Sequence, residues 1–164
     1  MKRTKKAITA VAKPKPFAEM TNSEQRVAVA RDVIMQLDAK KFVPKMGVYF
    51  TISDFAAANK PPEDGAMPAC TVCAIGAVFA SGCFAKTGML PLYWVRPDAT
   101  SELEIFDYDT LSRMESAFEI WGGRYRAATD FGMAVAPGHS REDADKRMRA
   151  IMQNVIDNDG EFVP

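Results

Sequence analysis

The chain has 164 residues, of which 48% are apolar and 26% charged, with a formal net charge of zero at neutral pH. That composition is ordinary for one globular domain whose core is large enough to fold without disulfide or metal staples. The zero conceals an asymmetry: residues 1–16 hold Lys2, Arg3, Lys5, Lys6, Lys13 and Lys15 and no acid, so the remaining 15 basic residues face all 21 acidic ones.

Residues 1–20 read as a basic, flexible, proline-containing tail ahead of a single globular domain over residues 21–164. Such a tail is either a solvated extension or an electrostatic contact for phosphate. Its apolar run, residues 7–12, is too short for a signal-peptide core. Three cysteines, an odd number without framework-like spacing, point to a reducing compartment, taken as cytoplasm.

Thr21-Asn22-Ser23-Glu24 predicts a capping box, with Val27, Ala30, Val33, Ile34 and Leu37 following at helical spacing. Lys40 and Lys41 suit the negative end of that helix, and Pro44 forbids much continuation. Residues 47–52, Gly-Val-Tyr-Phe-Thr-Ile, predict a short strand. A loop with Lys60-Pro61-Pro62 and the turn pair Asp64-Gly65 comes next.

Residues 68–86 predict one buried helix, with Pro68 at its first position and Gly88 as its stop. No charged residue occurs from Ala66 to Ala85. A membrane span is disfavoured, because the segment is mostly Ala, Gly, Cys, Ser and Thr and no second span exists. At 100° per residue, Cys73, Ala77 and Ala80 fall to one side and Val72, Ile75 and Phe79 to another. Gly76 costs a helix interior about 1 kcal/mol relative to alanine, so another element is expected to approach closely there.

Leu92-Tyr93-Trp94-Val95 predicts a second short strand. Asp107 or Asp109 caps the next expected helix, with Leu111, Met114, Phe118 and Trp121 on its apolar face and Gly122-Gly123 at its end. Ser140 is expected to cap a last helix whose stripe is Ala144, Met148, Ile151, Met152 and Val155, ended by Asp159-Gly160. The fold class is therefore α+β and helix-rich: about three main helices around a central Cys/Ala/Gly-rich helix, plus a short β-element.

The cysteines carry the sharpest chemical readings. Cys70-x-x-Cys73 has zinc-like spacing, with Cys83 and His139 available to complete a set. In a continuous helix, however, Cys83 lies about 15 Å along the axis from Cys73, so a metal site is not assigned. In the first turn of a helix Cys70 would have a lowered thiol pKa, and His139, the sole histidine, would be its base. Cysteine followed by histidine, with the cysteine opening a helix, is also the layout of papain-like hydrolases; no supporting family motif accompanies it. Against both stands the plainer reading of Cys70, Cys73 and Cys83 as small buried hydrophobes.

Arg124-Tyr125-Arg126 is a candidate anion or nucleic-acid contact beside the tail bases, or simply a surface loop. The acidic run Asp98, Glu102, Glu104, Asp107 and Asp109 reads as helix capping or as a phosphate mimic. No phosphate-binding loop, serine elbow or paired-carboxylate spacing is found, and no cofactor is implied.

Residues 70–77, Cys-Thr-Val-Cys-Ala-Ile-Gly-Ala, resemble the C-x-V-C-A-L-G-A segment of small uncharacterised proteins from bacteriophages and bacterial genomes. Residues 147–156, followed by Asp159-Gly160-Glu161-Phe162-Val163-Pro164, are similar to their C-terminal ending, and residues 114–119 resemble their middle helix. The likeness spans residues 24–164 and implies a phage or mobile-element setting but no activity. The expected function is a non-catalytic accessory protein that binds a host or viral macromolecule, modulating host defence or metabolism, in the cytoplasm of an infected bacterium. The alternatives are a virion-associated protein with a basic arm, and an enzyme using Cys70 and His139. A protein partner is expected, with nucleic acid engaged through the tail and no membrane; oligomeric state is left open.

Overall fold

In the computed structural model, residues 15–52, 67–90, 105–118 and 141–164 are described. They form a helix-rich α+β arrangement of four helices and a three-stranded sheet. The helices are α1 (Asn22–Asp38), α2 (Ala74–Thr87), α3 (Tyr108–Phe118) and α4 (Arg141–Asp157). The strands are β1 (Phe42–Pro44), β2 (Phe50–Ile52) and β3 (Cys70–Val72).

Helix α1 begins as its sequence dictates. The Thr21 side chain accepts from the Glu24 N–H, and the Glu24 carboxylate accepts from the Thr21 N–H at 2.7 Å, closing the capping box. A 3-10 turn, Phe17–Glu19, precedes it inside the stretch the sequence assigns to the tail, and Phe17 packs against the core. At the other end the chain leaves through a Schellman turn: Lys41 N–H bonds Gln36 C=O at 2.8 Å and Lys40 N–H bonds Leu37 C=O at 3.0 Å. Lys40 takes the left-handed position of that turn, with φ of 57°. Helix α4 ends in the same way, with Gly160 N–H on Val155 C=O and Asp159 at φ 51°.

Strand β3 lies at the centre of the sheet, parallel to β1 and antiparallel to β2. Strand β1 has no counterpart in the sequence reading, where Pro44 figured only as a helix stop. Cys70 N–H bonds Lys41 C=O and Lys45 N–H bonds Val72 C=O, so the odd-numbered residues of this segment face β3. Pro44 therefore falls at an outward-facing position of an edge strand, where a missing N–H removes no ladder bond. The expected strand over 47–52 shortens to Phe50–Ile52, because Gly47 is taken up by a turn at φ 70°.

The expected single helix over 68–86 is corrected: it splits into β3 and α2. Residues 70–72 are extended and laddered on both sides, Cys73 is the N-cap, and only Ala74 onward is helical. Pro68 is therefore not a first helical position, and Val72 and Cys73 drop out of the two expected helix faces; the burial of the segment and its stop at Gly88 stand. Nine consecutive residues from Ala74 to Gly82 are buried, as in a helix covered on all sides, and Gly88 closes it with φ 73°. The close approach expected at Gly76 is also present: a Cβ there would stand 1.7 Å from the Tyr49 carbonyl oxygen, at the entry to β2.

The remaining helices pack this centre from outside. Val29, Ala30, Val33 and Leu37 of α1 and Ala144, Met148, Ile151, Met152 and Val155 of α4 are all buried, and α1 with α4 is the most extensive helix pair. Asp107 caps α3, accepting from the Thr110 N–H at 2.7 Å, and Leu111, Met114 and Phe118 are buried on its inner face. The expected strand over 92–95, Trp121, Gly122-Gly123 and the Ser140 cap lie outside the described residues. Among the described residues, no helix is long and apolar enough to cross a membrane.

Candidate functional site

The junction of β3 and α2 places two cysteines at the heart of the molecule. Cys70 does not open a helix. It lies in the central strand, fully buried, and its Sγ is 3.3 Å from the Pro68 carbonyl oxygen as a weak donor. Burial pushes its thiol up from 9.0 to about 12, the opposite of the lowering a helix N-terminus would bring. At neutral pH the sulfur therefore keeps its proton.

Cys73 is buried one step further on, where its Sγ accepts from the Gly76 N–H at 3.5 Å. Serine or aspartate commonly does this at an N-cap; here a buried sulfur does. Glu115 of α3 supplies the charge that the helix start favours, its carboxylate accepting from the Ile75 N–H at 3.3 Å. The α2 N-terminus is thus filled by the protein's own groups. Cys83 is half-buried further along the same unbroken helix. Among the described residues, no three His, Cys, Asp or Glu side chains converge as a metal site.

His139, Arg124, Arg126, Lys2, Arg3, Lys5, Lys6 and Lys13 lie outside the described residues. Lys15, the last of the tail bases, is described: its Nζ stands 2.7 Å from Glu24, so it joins the capping box of α1. This ion pair and the Thr21 N–H together hold the Glu24 carboxyl below its ordinary value.

Three arginines to which the sequence assigns no role hold elements together. Arg26 of α1 donates from Nε to the Ile105 carbonyl at 2.6 Å, lies 5.5 Å above the Phe106 ring and pairs with Glu161 near the C-terminus. Arg147 is 3% exposed and donates to the Phe118 carbonyl at the end of α3, at 3.3 Å. A signal for it existed: Arg147 stands three residues after Ala144 and four before Ile151, on the apolar stripe itself. Arg149 ties α4 to α1, with 2.8 Å to Asp145 and 2.7 Å to Asp38. The hydrogen bond that Arg149 donates to Asp145, and with it the one to Asp38, holds this guanidinium more firmly protonated.

Beside that bridge is an open groove of about 760 Å³, lined by Leu37, Phe42 and Pro44 with Asp38, Lys40, Asp145 and Arg149. Its apolar floor comes from the end of α1 and from β1; its charges are two acids and two bases. Such a lining can bury an apolar surface; of its ionisable groups among the described residues, Arg149 is held between the carboxylates of Asp38 and Asp145.

No protein-family model matches this chain, and no curated protein and no solved structure matches it.

Proposed function

We propose that this chain is a phage-type accessory protein that binds a host or viral macromolecule without catalysing a reaction, modulating host defence or metabolism inside an infected bacterium. The supporting observation is the state of Cys70: buried in the central strand with its thiol pushed up to about 12, it is a packing residue and a poor nucleophile. Cys73 is likewise occupied as a helix cap. The likeness of residues 70–77 and 147–164 to small phage proteins supplies the setting.

The test is affinity capture from phage-infected cells with the wild-type chain and with Cys70→Ala. Retention of the same partner by both supports the reading. Loss of an enzymatic activity on Cys70→Ala, with the fold intact by circular dichroism, refutes it.

A virion-associated role with a basic arm is the second reading, favoured by the segregation of six bases and no acid into residues 1–16. Replacing Lys2, Arg3, Lys5, Lys6 and Lys13 by serine leaves the Lys15–Glu24 pair in place. If the arm contacts nucleic acid, this variant loses salt-sensitive retention on DNA or RNA; unchanged retention rejects the arm.

A further inference from the structure

We draw no further inference here: the strongest candidate, the open groove between the C-terminal end of α1, β1 and α4 with its apolar floor of Leu37, Phe42 and Pro44, carries nothing because its charges are balanced, Arg149 is already held by Asp38 and Asp145, and nothing in the structure shows what covers it.

Discussion

Replacing Gly76 by alanine measures how tightly α2 is pressed against the start of β2. In an open helix interior the change would stabilise by about 1 kcal/mol. Here the new Cβ would meet the Tyr49 carbonyl oxygen at 1.7 Å and its carbon at 2.8 Å, and both are backbone atoms that cannot swing aside. Reaching even the 3.0 Å that real Cβ contacts respect requires the two elements to part by at least 1.3 Å. That movement strains the Cys73 N–H bond to Tyr49 C=O, now 3.2 Å. Overpacking costs about 1–3 kcal/mol and a lost hydrogen bond about 1 kcal/mol, against a propensity gain of about 1, so a net loss of about 2 kcal/mol is expected. For a chain of this size, that lowers Tm by about 4–8 °C. Thermal and urea unfolding followed by far-UV circular dichroism reads it. Gly88→Asn is the comparison: φ is 73° there with nothing within 4 Å of an added Cβ, and asparagine tolerates that conformation, so it stays near wild type. A Tm for Gly76→Ala equal to or above wild type would show that the close approach does not exist.

Cys70 sets an alkaline limit on stability. Folding raises its pKa from 9.0 to about 12, so the unfolded chain loses the proton first; stability is whole below pH 9 and falls as pH rises towards 12, at no more than about 1.4 kcal/mol per unit. Cys70→Ala should flatten that limb in denaturant titrations between pH 8 and 11, and limbs parallel to wild type would contradict the burial argument. Under native conditions iodoacetamide should label Cys83 before Cys70 or Cys73, as read by peptide mass spectrometry, because only Cys83 is partly exposed. Asp107 acts at the acid end. The Thr110 N–H it accepts holds its carboxyl below 3.8, so the stability it contributes is present above about pH 4 and lost as pH falls through the lowered value. Asp107→Ala should cost about 1 kcal/mol at pH 7, while Asp107→Asn keeps the cap and flattens the acid limb; equal acid sensitivity in Asp107→Asn and wild type would refute the assignment. Lys40→Gly should stabilise by about 0.5–1 kcal/mol, since glycine meets no Cβ penalty at φ 57°, and a lower urea midpoint would count against the Schellman geometry.

Local chemistry by itself determined where α1 and α3 start, where α2 stops and the inner faces of α1, α3 and α4, while it misplaced the start of α2. Thr21 and Glu24 are close enough in the chain to cap α1 without help from afar, and the 3.6-residue stripes of α1, α3 and α4 mark their buried sides. Even the contact at Gly76 was legible, because a glycine inside a helix asks for a compensating neighbour. The strands were decided elsewhere. An uncharged run such as residues 66–85, with only Thr71 and Ser81 as polar positions, does not reveal a period, so strand and helix read alike within it. What makes Cys70–Val72 extended is a pair of distant backbones, β1 with its flanking Lys41 and Lys45 on one side and β2 on the other, which take up its N–H and C=O groups. The same ladder turns residues 42–44, proline included, into an edge strand. The candidate site followed that decision. One turn into a helix, Cys70 would have been an acidic thiol; in a covered central strand it is a protonated one, since desolvation disfavours the thiolate and no helix end offsets it. The partners of Arg26 and Arg147, and the Asp38 partner of Arg149, likewise lie on other elements, so residue order reveals that these charges exist and only tertiary packing shows what holds them; the Asp145–Arg149 pair alone is local, four residues apart on α4.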